Sequence, residues 1–146
     1  MYKDESFSLG ESFHRVARDA IPDNWLDNDN DDGHWCVPSI VNMAFACELY
    51  LKSLISHGNN SAWGHNLVRL FDGLDKSIQD RVLNSSLFKG DKEFYEKLDE
   101  AKLIFENWRY CFEPAKYLSV DIIFLENLAS VLHSVAESEV LCLDQF

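Results

Sequence analysis

The chain has 146 residues, enough for one domain that buries its own hydrophobic core. Hydrophobic residues make up 47% of it and charged residues 26%, which excludes a largely disordered chain. Its formal charge of −12 repels nucleic acid and anionic membranes at long range, so a polyanion would need a local basic patch. We therefore expect no membrane partner and no DNA binding.

Hydrophobic spacing predicts the first two helices. A loose apolar stripe predicts a helix over roughly 4–20. Prolines, a glycine and many aspartates then predict a flexible acidic loop over about 22–37. Pro38 is expected to open a strong helix over 39–56, because proline suits a first helical turn.

The second half of the chain predicts more helix. "HNLVRLFDGL" is a short amphipathic helix, and 75–84 forms a further short turn. Asp91 is expected to cap a long helix that ends near Pro114, and Ser119 to cap the last helix. The prediction is an all-α fold: a single domain over 1–146, built as an up-and-down four-helix bundle with additional short helices.

The cysteines and the N-terminus indicate the cytoplasm. No pair of cysteines has CxxC spacing, and "MYKDESF" lacks the basic head and apolar core of a signal peptide. We therefore expect reduced thiols and a cytoplasmic location. Cys47 and Cys111 lie among apolar residues and are predicted to be buried.

The acidic loop resembles a calcium-binding loop only in part. Asn28, Asn30, Asp32 and Gly33 align with loop positions one, three, five and six, but Ser39 then stands where a bidentate glutamate is needed. A solvated loop is the better interpretation, with weak divalent binding left open. Because nucleotide-binding, hydrolase and zinc motifs are also absent, the sequence predicts neither a metal site nor a cofactor.

Two polar groups accompany the apolar helices. Glu48 and Lys52 are four residues apart and would form a solvent-exposed helical pair or part of a site. His65 follows Gly64 at the start of a predicted helix. It would either help to cap or orient that start or present a neutral imidazole to a cleft.

Arg109 lies in a run that otherwise reads as the core-facing part of a helix. Glu106 and Glu113 are within one helical turn of it, and Glu48 is a further candidate partner, so the guanidinium could be an ion-pair clamp. Alternatively, it could be a bidentate ligand for phosphate, with Trp108 and Tyr110 offering a stacking surface for a base.

Three motifs in this order resemble the HEPN superfamily: "ELYLKSLISHG", "GHNLVRLF" and "WRYCFEP". The resemblance covers roughly residues 38–135. It implies a four-helix up-and-down bundle that commonly dimerises. Many members are endoribonucleases of defence or toxin–antitoxin systems, with an arginine followed after four to six residues by a histidine. Other members bind nucleotides or act as partners of nucleotidyltransferase domains.

The chain departs from the ribonuclease signature. Arg109 matches the arginine, but Pro114, Ala115 and Lys116 occupy the positions where the histidine should stand. No other arginine of the chain has a histidine at that distance. Acid–base catalysis of RNA cleavage therefore lacks its usual agent, and no catalytic residue is assigned.

We therefore expect a non-catalytic HEPN-like module, homodimeric, that binds a nucleotide, RNA or a protein partner. Six residues form its predicted site: Glu48, Lys52, His65, Arg109, Tyr110 and Glu113. One alternative is an atypical metal-independent endoribonuclease that uses Arg109 and His65. Another is a purely structural interaction protein in which Arg109 is a clamp.

Overall fold

Six helices and no strand occur in the residues that the computed structural model describes, which are 3–23, 36–55, 64–107 and 122–143. The prediction of an all-α fold is therefore confirmed. Its arrangement as an up-and-down four-helix bundle stays a prediction. The helices are α1 (Lys3–Ala20), α2 (Cys36–Leu54), α3 (Leu67–Asp72), α4 (Lys76–Leu83), α5 (Phe94–Asn107) and α6 (Ile122–Leu143).

Helices α1 and α2 pack against each other in antiparallel orientation. Near the start of α1, the buried Ser6 hydroxyl donates to the carbonyl oxygen of Leu49 at 2.7 Å. Near its end, the carbonyl oxygen of Ala17 accepts from the buried Ser39 hydroxyl at 2.9 Å. Each serine thus satisfies its own hydroxyl and joins opposite ends of the two helices.

The close approach of α1 to α2 depends on Gly10. A Cβ atom at this position would lie 2.7 Å from Cε1 of Tyr50, whose side chain is fully buried. Contacts that short do not occur between real carbon atoms, so any larger residue would displace the tyrosine ring. Gly10 costs some helix propensity but leaves room for that ring.

Helix α2 is the element that the others surround, since it contacts α1, α3, α5 and α6. Its buried side chains include Met43, Cys47 and Leu51, and they belong to one apolar cluster shared with the other helices. The prediction that Cys47 is buried is confirmed, and burial raises the pKa of its thiol. Such a thiol fills space and is not a nucleophile at neutral pH.

A cluster of phenylalanine rings holds the middle of the chain against α6. Phe94 of α5 lies 5.2 Å from Phe71 of α3 and 5.6 Å from Phe124 of α6, between ring centroids. Phe88, in the turn before α5, lies 5.1 Å from Phe94. Tilted and edge-to-face pairs at these distances add to the stabilisation from burial alone.

The helix boundaries differ from the sequence predictions in three places. Helix α2 begins at Cys36, so Pro38 lies within its first turn and does not open it. Residues 76–83 form a true helix where a short turn was expected. Asp91 is not an N-cap: α5 begins at Phe94, and the Asp91 carboxylate accepts from the backbone N–H of Glu93 at 2.9 Å in the preceding turn.

Several predicted features lie outside the described residues. They are most of the acidic loop, Cys111, the helix end at Pro114 and the cap at Ser119. Within the described ranges, none of the helices has the length and apolar character needed to cross a bilayer.

We predict that Gly10→Ala lowers the free energy of unfolding by about 1–3 kcal/mol, because the new methyl group overpacks the contact with Tyr50. The loss should appear although alanine is the better helix former by up to about 1 kcal/mol. Urea unfolding followed by circular dichroism measures it. Ser8→Ala, on the exposed side of the same helix, is the control and should cost nothing. A Gly10→Ala protein as stable as wild type would contradict the close packing.

Candidate ligand-binding site

Glu48 brings three of the predicted site residues together. Its Oε1 accepts from Lys52 Nζ at 2.8 Å and lies 2.9 Å from His65 Nδ1. Lys52 is one turn further along α2, whereas His65 comes from the segment that leads into α3. One carboxylate oxygen therefore joins two motifs that are separated in the sequence.

The turn before α3 brings His65 back toward α2. Gly64 has φ +89°, a left-handed conformation that side-chain-bearing residues rarely adopt. The N-cap of α3 is Asn66, whose side-chain oxygen accepts from the backbone N–H groups of Val68 and Arg69 at 3.0 and 3.2 Å. Asn66 thus takes the capping role considered for His65, and the imidazole is directed to Glu48 instead.

The solvent exposure of the side chains increases from Glu48 through Lys52 to His65. The side chain of Glu48 is 4% exposed, that of Lys52 is 25% exposed and that of His65 is 64% exposed. The interpretation of Glu48 and Lys52 as a solvent-exposed pair is therefore wrong for Glu48. A buried carboxylate needs partners. The two partners of Glu48 are themselves more exposed, so the cluster reaches the surface through them.

The second carboxylate oxygen of Glu48 differs from the first. Oε2 is buried and accepts no hydrogen bond within the described residues. A buried acceptor without a donor costs about 1–3 kcal/mol. The cluster therefore has one buried acceptor oxygen, and the side chains of Lys52 and His65 lie nearer to the surface.

The remaining predicted site residues, Arg109, Tyr110 and Glu113, lie outside the described residues. Their place relative to Glu48 stays a prediction, as does the homodimer. In the part of the chain that the structure describes, no three His, Cys, Asp or Glu side chains are grouped as metal ligands would be.

A second polar group, which the sequence did not reveal, surrounds a pocket of about 560 Å³. Helix α2 contributes Tyr50, and α6 contributes Ser130 and His133. The rest of the lining comes from α1: Glu11, His14, Arg15, Arg18 and Asp19. We call this the α1–α6 pocket.

The inner wall of the α1–α6 pocket is a histidine–tyrosine pair. His14 is 5% exposed, and its Nδ1 lies 3.1 Å from the Tyr50 hydroxyl. Burial, with smaller contributions from the nearby Arg18 and His133, lowers the pKa of His14 from 6.5 to about 4. Burial and the neighbouring Glu11 raise the pKa of Tyr50. Both groups are therefore uncharged at neutral pH.

Part of this group could have been found in the sequence. Glu11, Arg15 and Arg18 recur at spacings of four and three, which places them on one face of a helix. The contribution of Ser130 and His133 could not be found, because they lie more than a hundred residues away along the chain. Only the packing of α6 against α1 and α2 brings them to the pocket.

Comparison of the chain with family models, with curated proteins and with solved structures finds no match. Membership of the HEPN superfamily therefore stays a prediction from the three motifs.

We predict that Glu48→Gln lowers the free energy of unfolding by about 1–2 kcal/mol, because two charge-assisted hydrogen bonds to a buried oxygen are weakened. The matched control is Asp80→Asn. Asp80 is also one helical turn from a lysine, in the reverse order, at 3.2 Å from Lys76, but both partners are exposed, so the change should stay below about 0.5 kcal/mol. Chemical unfolding of both variants gives the comparison, and equal losses would contradict a special role for Glu48.

We further predict a pH dependence of stability that comes from His14. Its pKa falls from 6.5 to about 4 on folding, so between these values the unfolded chain binds more protons. The stabilisation is complete above pH 6.5 and is lost as the pH falls toward 4. Between pH 8 and pH 5 wild type should lose roughly 1–2 kcal/mol more than His14→Gln.

Unfolding free energies of both proteins across this pH range test the point. Carboxylates that titrate in this range change the unfolding free energy of both proteins equally, so their contribution cancels in the difference. Parallel pH profiles would show that His14 is not held neutral by the fold.

Proposed function

We propose that the chain is a non-catalytic, HEPN-like cytoplasmic module that binds a nucleotide at the cluster of Glu48, Lys52 and His65. The observation that carries the proposal is the meeting of Lys52 and His65 at one buried oxygen of Glu48. The motifs that carry these residues also predict that they share a site.

The chemistry of the cluster suits a ligand with negative charge. Lys52 and His65 lie toward the surface and would face the phosphate, where a lysine acts as a point charge. Glu48, buried beneath them, would hold both groups in place through Oε1. Arg109 would add a guanidinium fork for the phosphate, and Tyr110 would stack on the base.

The same module would act in a defence or toxin–antitoxin context as a homodimer, as the resemblance implies. Glu113 is expected at the edge of the site, where it would hold Arg109 in place. Catalysis is not part of the proposal, because Pro114, Ala115 and Lys116 stand in place of the signature histidine.

An atypical endoribonuclease is the second candidate, and one distance favours it. His65 Nδ1 lies 2.9 Å from a buried carboxylate, an arrangement that fixes the tautomer and orientation of a general base. Arg109 would then stabilise the phosphate of the substrate.

Calorimetric titration with nucleoside mono-, di- and triphosphates tests the first proposal. We expect binding to wild type, and a Kd at least about tenfold weaker for Lys52→Ala, His65→Ala and Arg109→Ala. Lys76→Ala, which removes a lysine from an exposed i,i+4 pair, is the control for the change in net charge and should bind as wild type does.

Two results would overturn nucleotide binding. One is the absence of binding to any nucleotide. The other is an equal loss in Lys76→Ala. Cleavage of a mixed RNA pool by wild type, abolished by His65→Ala, would replace the proposal with the ribonuclease. If Arg109→Ala lowers stability and nothing binds, the structural protein is the better account.

A further inference from the structure

The α1–α6 pocket lies on the other side of α2 from the Glu48 cluster. Tyr50 follows Glu48 by two residues, which places it about 200° around the helix. The pocket takes the rest of its lining from α1 and α6, whereas the Glu48 cluster takes His65 from the segment before α3. The pocket is therefore a separate site that the proposed nucleotide site does not use.

The glutamate and the two arginines of the pocket lie at different heights along α1. At one end, His133 Nε2 lies 3.1 Å from the Glu11 carboxylate. At the other end are Arg15 and Arg18, which form no ion pair with any described residue. From Glu11 to Arg18 the helix rises about 10 Å. The pocket thus offers two cations, beside the Asp19 carboxylate, at one end and a paired acceptor at the other.

The inner wall has unused hydrogen-bonding capacity. His14 Nε2 is buried and has no partner among the described residues. Since His14 is neutral, its ring has one donor and one acceptor, and the Tyr50 hydroxyl satisfies one of them. A buried polar atom without a partner is costly, so a ligand group that reached Nε2 would gain a hydrogen bond there.

The charges and the volume of the pocket limit the chemical class of its ligand. A pair of guanidinium groups with no ion-pair partner among the described residues, three positions apart on a helix, matches the oxygens of a phosphate dianion. Glu11 and Asp19 in the same lining disfavour a polyanion such as RNA, and they favour a ligand whose uncharged part donates hydrogen bonds. The volume of about 560 Å³ is within the usual range for small-molecule sites.

We propose that the α1–α6 pocket binds a small hydroxylated phosphomonoester, that is, a sugar phosphate. The phosphate contacts Arg15 and Arg18. The hydroxyl groups reach toward Glu11 at the other end, about 10 Å from Arg18 along α1. The lining of the pocket carries this proposal whether or not the Glu48 cluster binds a nucleotide.

The test is calorimetric titration of the full chain with a pentose 5-phosphate and a hexose 6-phosphate. Inorganic phosphate, the free sugars and a sugar acid of the same length are the comparison ligands. We expect a sugar phosphate to bind at least about tenfold more tightly than any of these, because only it fills both ends of the pocket.

Variants locate the binding. Arg15→Gln/Arg18→Gln should weaken sugar-phosphate binding by at least about tenfold. Both arginines are exposed, so the double variant should keep its unfolding midpoint. Lys89→Gln/Lys92→Gln removes the same charge from exposed positions outside the pocket and should bind as wild type does. Lys52→Ala should also bind normally, which separates this pocket from the nucleotide site.

Three results would overturn the proposal. The first is that no sugar phosphate binds. The second is that inorganic phosphate or the sugar acid binds as tightly as the sugar phosphates do. The third is that the lysine control weakens binding as much as the arginine variant, which would show a general charge effect and not a site.

Discussion

The burial of α2 is the constraint on which the rest of the structure depends. This helix contacts α1, α3, α5 and α6, yet it carries Glu48 and Tyr50 in positions with almost no access to water. A polar group in such a place must find a partner inside the protein. The neighbouring helices are therefore fixed by polar contacts as well as by apolar packing.

The buried polar groups on the two sides of α2 have different partners. On one side, Lys52 and His65 contact the Glu48 carboxylate, and Gly64 forms the left-handed turn directly before His65. On the other side, the Tyr50 hydroxyl is paired with His14, and Gly10 leaves space for the ring. Within the described residues, each arrangement leaves one buried atom without a hydrogen-bond partner, Glu48 Oε2 on one side and His14 Nε2 on the other.

Local patterns in the sequence predicted much of this molecule, and long-range packing explains what they missed. Apolar spacing predicted α1, α2 and α3, because periodicity depends only on near neighbours. The link between Glu48 and Lys52 was also local. The burial of Glu48 was not predictable, since it depends on the approach of α3. The difference at Asp91 is local: its carboxylate accepts from Glu93 in the turn that precedes α5 and does not cap the helix.

The central claim is that Glu48 organises a site and does not merely occupy the core. A double-mutant cycle with Glu48→Gln and His65→Ala measures this directly, from the unfolding free energies of four proteins. The account predicts a coupling energy of about 1 kcal/mol or more, because the two side chains share a short hydrogen bond. Additivity to within about 0.3 kcal/mol would show that the two residues act independently and would contradict the proposed site.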